Sequence, residues 1–466
     1  MADYMITFDR EKFEKGKLDG KAITKLIEAH KANIVEQVQK CKNYYMGEHA
    51  INGEDSGNSD EAQTVCNHAK DISDTAAGYF MGNPITYKAK DGGNVDDLTD
   101  AFGIADIDSV DQDNALMLSI SGRCLEYWYA AEGEAEMAVQ SVEPDVGFVV
   151  YDTTIVHNKL FGVYYYYKKD DSADQEDPLL YVMVVTDKEI INYVLNGENI
   201  ESEEHEPHRF GAVPLLEGKN NKYCIGDFEQ QIGLIDAYNA MTSDRVKDKE
   251  QFIDSILVLY GSILGDTEEE TDEAISDLKK RKLLELDSDA RAEYLTRTLD
   301  ENGMEVLRKA LKEDIYTFSH VPNLTDVHFA GNSSGVAMEY KLLGLEMITK
   351  TKERWYRKLL HERLHLAQNF MGIKNKAIDP HNIQVTFTRS LPKNLQELAG
   401  IIATLDNTVS RKTLISLLPF VEDPDEELKA LEKQTEEAIE MQKKAFEGAE
   451  NTPPEGLEAG DEDGEE

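Results

Sequence analysis

The chain has 466 residues and carries 91 acidic against 49 basic side chains, a formal net charge of −42. Because proteins that grip nucleic acid neutralise phosphates with clustered Lys and Arg, this balance argues against tight DNA or RNA binding. No apolar run reaches the roughly 18–20 residues that span a bilayer, and the N-terminus lacks a signal-peptide core, so we expect a soluble protein without membrane contact.

The first part of the chain has two helical patterns, at 20–47 and 61–81, separated by a polar loop at 52–60. The second helix is predicted to stop at Gly82 and to turn through Asn83-Pro84 into a strand. The four cysteines are scattered without a CxxC pair, so we expect reduced thiols. They are Cys41, Cys66, Cys124 and Cys224.

Between about residues 114 and 195 the hydrophobic period shortens to that of strands. Short β-branched or aromatic runs stand between turn residues, which predicts a mainly antiparallel sheet. These runs begin at Leu125, Gly147, Gly162 and Tyr181. Four consecutive tyrosines at 164–167 are interpreted as a strand covered on both faces rather than a stacking platform, because no basic cluster accompanies them.

A long helix is predicted over 227–260, with an almost wholly charged middle at 243–250. A helix that is polar all round is solvated or held by ion pairs. Acidic side chains occupy one side and basic side chains the adjacent side, which suits packing between copies of the same helix. An ordinary solvated helix is the alternative. The charged positions are Asp244, Arg245, Lys247, Asp248 and Lys249.

The rest of the chain is predicted to be mainly helical. A charged helix at 266–282 and strands near 283–286 and 292–296 form a small αβ insertion. Beyond Ala445 the chain is acidic, without Lys or Arg, and is expected to be disordered. The remaining helices are predicted at 303–319, 336–370, 393–418 and 424–446, with a strand at 384–388.

Two segments of the sequence match the patterns of catalytic motifs. Residues His361, Glu362 and His365 match HExxH, in which two histidines bind zinc and the glutamate is the general base. Both histidines, however, continue the polar, basic side of the helix that carries Arg354 and Lys358, and a flanking cation competes with zinc. The glycine of the metzincin extension is also missing. We therefore assign no metal site, and a zinc metallohydrolase remains only as an alternative.

The second motif is GxSxG at 331–335, the pattern of a nucleophile elbow. An α/β-hydrolase needs alternating parallel strands and helices before this loop, whereas long helices and a small insertion precede it here. We interpret the loop as a flexible segment in which Ser333 or Ser334 caps the next helix. The aspartates at 106–113 lack the Gly and terminal Glu of a calcium loop and are interpreted as a solvated turn and helix start. No catalytic residue or cofactor is assigned.

Several fragments of the chain resemble portal proteins of tailed, siphovirus-type double-stranded DNA bacteriophages. They keep the family's order between about residues 20 and 430, and the most specific is His208-Arg-Phe-Gly-Ala-Val-Pro with its continuation at 226–229 and 234–239. The other fragments lie at 44–49, 68–87, 121–129, 142–152, 332–341 and 408–418.

The resemblance implies an α+β portal fold with long helices, a mainly antiparallel sheet, and wing, stem, clip and crown regions. The implied regions are a wing at 1–225, stem helices at 226–261 and 302–320, a clip at 262–301, a tunnel loop at 321–335, a long wing helix and strand at 336–390, crown helices at 391–445 and a disordered acidic tail at 446–466. The residues implied to line the channel are Phe329, Ala330, Gly331, Asn332, Ser333, Ser334 and Gly335. Candidate subunit contacts are the charged stem positions together with Arg354 and Lys358.

The resemblance also implies a ring, usually a dodecamer, at one capsid vertex, through which double-stranded DNA is packaged and ejected without tight binding. Implied partners are the terminase large subunit, a head-completion or adaptor protein, and the major capsid and scaffold proteins, with assembly in the host cytoplasm. The packaging energy is expected from a separate ATPase, since the chain has no nucleotide motif. Another head–tail connector or a scaffold protein is the alternative.

Overall fold

The protein combines helices with antiparallel-rich sheets, as predicted. The computed structural model describes residues 5–16, 18–52, 63–130, 136–168, 178–253, 256–260, 267, 269–272, 275–276, 291–295, 301–324, 335–373, 376, 378–389, 395–406, 408–418, 421 and 424–450. The chain divides into two compact units, one of residues 1–331 and 340–390 and the other of residues 332–339 and 391–466.

The N-terminal helices follow the predicted pattern and end at local capping signals. The helix predicted over 20–47 is confirmed, with a π-helical turn at Lys31–Val35, and it ends at Gly47, whose φ of 91° suits glycine. The helix predicted over 61–81 begins only at His68, because the Asn67 side chain accepts from Lys70 N as its N-cap. These helices are α1 (Arg10–Glu14), α2 (Gly20–His30), α3 (Glu36–Met46), α4 (His68–Met81), α5 (Asp96–Ile104) and α6 (Ile107–Ser121).

Six strands form the larger sheet in the order β1-β5-β6-β7-β8-β9. All neighbours are antiparallel except β1, which pairs parallel with β5. Helices α2 and α3 pack on this sheet. In this core, Ile23 and Ile27 of α2 are buried together with Phe161 and Leu195 of the sheet. The strands are β1 (Ile6–Phe8), β5 (Gly147–Asp152), β6 (Lys159–Lys168), β7 (Leu179–Val185), β8 (Glu189–Asn196) and β9 (Asn199–Pro207).

The prediction for the four tyrosines is wrong on one point. They do form part of β6, but only Tyr165 is buried, and Tyr166 and Tyr167 are exposed near the end of the strand. Their exposed rings are covered only in part: the Tyr166 ring stacks on that of Tyr181, and the Lys31 ammonium lies 4.6 Å from the centroid of the Tyr167 ring.

A second core joins α4 and α6 to two smaller sheets and the longest helix, α10 (Leu343–Ile373). Its buried centre includes Phe80, Trp128, Tyr356 and Leu360. One small sheet has the order β10-β3-β4, and the other pairs β13 with β2. The strands are β2 (Thr86–Ala89), β3 (Arg123–Ala130), β4 (Met137–Val142), β10 (Leu215–Lys219) and β13 (Ile383–Thr386).

The helix predicted over 227–260 is wrong at its C-terminal end. Helix α7 (Ile232–Ile253) stops, and the run Ile256–Tyr260 forms β11, which pairs antiparallel with β12 (Arg291–Leu295). An unbroken aliphatic and aromatic run suits a strand better than a helix face. Between these strands only residues 267, 269–272 and 275–276 are described, and the helical ones among them agree with the predicted helix at 266–282. The predicted strand at 283–286 lies outside the described residues.

The helix predicted over 303–319 is confirmed as α8 (Glu301–Ser319), and the long helix after it begins with the short α9 (Gly335–Lys341) before α10. In the second unit, the helix predicted over 393–418 is two helices, α11 (Leu395–Leu405) and α12 (Arg411–Ile415), because the Ser410 side chain caps the second. Helix α13 (Pro424–Glu450) runs five residues into the segment predicted as a disordered tail, and residues 451–466 lie outside the described part.

Candidate functional site

Helices α7 and α8, the predicted stem helices, are joined by an ion pair within one chain. Arg245 Nη1 lies 2.8 Å from Glu305 Oε2, and Glu305 also accepts from both Arg308 Nε and Nη2, at 3.0 and 2.7 Å. Arg308, and secondly Arg245, lowers the pKa of Glu305 to about 2. Arg308 Nη1 continues the network to the Tyr238 hydroxyl at 2.9 Å. The cation predicted to meet a neighbouring copy thus already has a partner in its own chain.

The exposure of the other charged side chains of α7 is described for Asp244 and Lys247. Asp244 is exposed, and Lys247 is half-buried. Asp248 and Lys249 lie in the helix, but their side chains are outside the described residues. The predicted alternation of acidic and basic sides can therefore be followed only at the first three positions.

The helix pair is tied to α4 by aromatic and polar contacts. The Tyr316 hydroxyl donates to Asp71 Oδ2 at 2.5 Å, and His68 Nδ1 lies 3.2 Å from the same hydroxyl oxygen. The His68 ring meets the Tyr238 ring edge-on at 4.8 Å between centroids. Burial lowers the pKa of His68 to about 4, so this histidine is neutral at physiological pH.

The N-terminal part of α7 has three further anchors on the chain before α4. The Tyr44 hydroxyl donates to Asp236 at 2.8 Å, Asn239 Oδ1 accepts from Cys66 N at 2.9 Å, and Ser243 Oγ accepts from Thr64 N at 2.9 Å. One end of α7 is therefore fixed to the body of the first unit by hydrogen bonds that its sequence pattern did not reveal.

Of the predicted channel-lining residues 329–335, only the last can be described. Gly335 is the first residue of α9, and the loop residues before it, Phe329, Ala330, Gly331, Asn332, Ser333 and Ser334, lie outside the described residues. The GxSxG interpretation and the proposed serine cap lie there as well.

The side of α10 that was predicted to be polar and basic faces solvent at Arg354 and Lys358. Arg354 is exposed and has no ion pair within the described part of the chain, while the Lys358 ammonium lies 3.7 Å from the centroid of the Trp355 ring. Not every cation of this stretch shares that side, because Lys352 and Arg363 are buried. The prediction of one continuous basic face over 350–363 is wrong at these two positions.

The HExxH residues have a geometry unlike a zinc-protease centre. His361 Nε2 and His365 Nε2 are 3.2 Å apart, but Glu362 pairs instead with Lys159 of β6. The His381 ring lies nearby, 5.8 and 6.1 Å from the two histidine rings by centroid. Burial and, secondly, the two neighbouring histidines lower the pKa of His361. Among the described residues no group of three His, Cys, Asp or Glu side chains could hold a metal ion.

A buried ionic network in the second core was missed by the sequence reasoning. Arg363 Nη2 lies 2.6 Å from both Asp111 Oδ1 and Glu126 Oε2, and the Tyr356 hydroxyl donates to Asp111 at 2.5 Å. Burial raises the pKa of Asp111, with Arg363 opposing it. Asp111 was predicted in a solvated segment. The signal for burial was present, because Asp111 shares the apolar stripe of Ile107 and Leu118 on α6.

The cysteine prediction is confirmed. All four thiols are free, three of them are buried and Cys66 is partly buried. Within the described residues, no helix is long and apolar enough to cross a membrane.

Comparisons with known proteins identify similar sequences over most of the chain. A family model described as phage portal protein, SPP1 Gp6-like, matches residues 24–441. The portal protein of Bacillus phage SPP1 is 23% identical over 462 residues, which cover 91% of this chain and 88% of that protein. The portal protein of Clostridium phage phiCD119 is 25% identical over 261 residues, or 54% of this chain and 56% of that protein.

Among solved structures, a chain from the neck of an empty GTA particle computed with C6 symmetry has a TM-score of 0.44 and 10% sequence identity. The similarity covers 75% of this chain and 89% of that one.

Proposed function

The chain belongs to the SPP1 Gp6-like family of phage portal proteins, and from this membership we propose that it forms a closed ring, a dodecamer, at one vertex of a phage capsid. The family is a structural, non-enzymatic component of the phage particle. The observation that carries the proposal is the match over residues 24–441, which includes the helix pair α7/α8 and the long helix α10.

In this proposal, α7 and α8 line a channel that double-stranded DNA crosses during packaging and ejection. The net charge of −42 supports a channel wall that does not hold phosphates. Tight binding would need clustered Lys and Arg side chains that neutralise the phosphates and release the counterions of the DNA. The anchoring of Tyr316 and Ser243 to the body of the first unit supports stem helices that keep their position while DNA passes. The residues at 329–335 project into this channel.

The proposed partners follow from the same position in the particle. The terminase large subunit docks on one end of the ring and a head-completion or adaptor protein replaces it after packaging, while the major capsid and scaffold proteins surround the ring. Assembly takes place in the host cytoplasm. The strand pair β11/β12, which follows α7 and precedes α8 in the chain, supports a docking element at the predicted clip.

An in vitro packaging reaction tests this function. Capsids assembled with and without this chain are mixed with terminase, ATP and linear double-stranded DNA, and nuclease-protected DNA is measured. We expect protected DNA only when the chain is present. Equal protection in its absence would overturn the channel function, and a head–tail connector acting after packaging would then be favoured.

A further inference from the structure

A cleft of about 460 Å³ opens beside the helix pair, within the first unit of the chain. It is lined by the segment before α7, by the end of α8 and by the start of α10. Two large apolar side chains in its lining are more than half exposed, Phe318 at 61% and Met347 at 64%. Large apolar groups on a well-packed framework are rarely left in water around a cleft without a partner.

Further exposed apolar side chains lie outside the cleft on the same helices. The inner side of α8 is buried through Ile315 and Tyr316, while Val306 and Leu307 on the same helix are exposed. Leu343, one turn before Met347 on α10, is exposed as well. We call the set Val306, Leu307, Phe318, Leu343 and Met347 the apolar seam.

The cleft also contains polar atoms that lack partners. Asn220 and Gln231 are 3% and 5% exposed, yet Asn220 Oδ1 and Gln231 Oε1 accept no hydrogen bond from the residues that the structure describes. The orientation of the Asn220 amide is fixed, because its Nδ2 donates to Asp227 Oδ1 at 3.0 Å and to the Ile225 carbonyl oxygen at 2.9 Å. Buried acceptors without donors are uncommon in folded proteins, so each calls for an explanation.

The nearby charges do not supply the missing donors. The buried Lys352 ammonium is paired with Asp227, whose carboxylate also accepts from Ser119 Oγ at 2.5 Å. The lining is thus electrically balanced, and it presents two amide acceptors beneath an apolar rim. Such a cleft fits an apolar side chain accompanied by N–H or O–H donors.

We infer that the occupant of this cleft is a second copy of the chain, seated against the apolar seam in the assembled ring. The inference rests on the proposed function and names the surface that closes the ring. Two subunits of charge −42 repel each other, so apolar contact is needed to offset the repulsion in addition to any local ion pairs. The cleft lies immediately before the start of α7 and is lined by the end of α8, the helices proposed to line the ring.

The shape of the site also sets the type of contact. A concave cleft with two unpaired acceptors cannot complement itself, so it must meet a different surface of the second copy. Such a heterologous contact closes into a ring when the rotation permits. The charged middle of α7 is then not the main contact, in agreement with Arg245 pairing inside its own chain.

The test compares Phe318→Ser and Met347→Ser with the matched control Ile155→Ser. Ile155 is 95% exposed on the turn between β5 and β6 and does not line the cleft. Each seam variant should raise the protein concentration at half-assembly by about thirtyfold or more, as loss of a central interface residue does. The control should leave it unchanged. Thermal unfolding of unassembled protein should be the same in all three.

A photoreactive amino acid at position 347, in otherwise unaltered protein, gives a second readout. In isolated rings we expect a crosslink between two copies, with mass spectrometry locating it in a segment away from α8 and α10, while the same group at position 155 gives none. Rings that form normally with both seam variants and give no crosslink from 347 would overturn the inference and leave the proposed function standing. Absence of rings in the wild-type protein would overturn both.

Discussion

The hydroxyl of Tyr316 donates to Asp71 Oδ2 over 2.5 Å, which joins the end of α8 directly to α4. His68 lies against the same hydroxyl, so three side chains form the joint between the helix pair and the body of the first unit. Removal of the hydroxyl leaves Asp71 without this donor. The joint explains how a helix pair with a largely charged exterior is held in place.

The first prediction concerns this joint. Tyr316→Phe should lower the free energy of unfolding by about 0.5–1.5 kcal/mol, the net worth of one hydrogen bond, because water solvates the exposed Asp71 carboxylate in the variant. It should also increase amide hydrogen exchange near the end of α8. The exposed Tyr340→Phe is the control and should change neither quantity. Unchanged exchange in Tyr316→Phe would show that the joint does not hold the helix.

The second prediction concerns the buried network of Arg363. Arg363→Met leaves Asp111 and Glu126 buried without their cation, which should cost about 3–5 kcal/mol. Burial already raises the pKa of Asp111, and without Arg363, which opposes that shift, Asp111 takes up a proton more readily. The deficit relative to wild type, measured by urea unfolding, should therefore shrink as the pH falls from 8 to 5.

Arg354→Met, which removes an exposed guanidinium from the same helix, is the matched control and should stay within about 0.5 kcal/mol of wild type. A deficit in Arg363→Met that is the same at pH 8 and pH 5 would contradict the assignment of the loss to unpaired carboxylates.

The third prediction is a pH dependence from His30. Its Nδ1 lies 3.0 Å from the Tyr165 hydroxyl and its Nε2 lies 3.0 Å from the Pro144 carbonyl oxygen, and burial lowers its pKa from 6.5 to about 4. Since the folded pKa is below the unfolded one, stability is complete above pH 6.5 and is lost as the pH falls towards 4. The loss from this group is about 3 kcal/mol.

Between pH 6.5 and 4, His30→Gln should reduce the slope of the unfolding free energy against pH by the amount that corresponds to about one bound proton. The control His205→Gln should leave that slope unchanged. Glu189 and Glu203 raise the pKa of His205, so its contribution is constant below pH 6.5 and is lost only at higher pH. Equal slopes for wild type and His30→Gln would contradict the buried neutral histidine.

The fourth prediction separates the two roles available to Arg245. If it serves its own chain, a double-mutant cycle of Arg245→Ala and Glu305→Ala in unassembled protein should give a coupling of about 0.2–1 kcal/mol. Both single variants should then affect ring assembly equally. A strong loss of assembly in Arg245→Ala alone would instead show that the guanidinium meets another copy.

The fifth prediction addresses Arg354 and Lys358 as subunit contacts. Reversing both charges, Arg354→Glu with Lys358→Glu, should weaken ring assembly, because an acidic neighbour would then be repelled. The control is Lys21→Glu with Lys25→Glu, an exposed pair at the same spacing on α2, which should have no effect. Assembly that is unchanged by the first pair would remove these residues from the interface.

The sequence predicted those features that depend on local signals. The stop of α4 at Gly82, the β-rich region and α8 all follow from capping residues and periodicity. Helical spacing in α10 also predicted a solvent-facing side with His361 and His365; His361 is exposed, whereas His365 is half-buried beside a cleft.

What could not be predicted depends on partners distant in sequence. The Arg363 and Asp111 side chains are separated by 252 positions, so the sequence does not show that they pair, although helical spacing places Arg363 on the side of Tyr356 and Leu360. The strand β11 was assigned to a helix because its pairing with β12 is invisible in a short window. The cleft beside α8 requires three separate elements to come together.

Electron microscopy of the purified protein, with the mass measured by light scattering on the same sample, tests the central claim most directly. The account predicts closed rings with a central channel and a mass of about twelve 52.5-kDa subunits. A monodisperse monomer at every concentration, with no ring in any image, would contradict it.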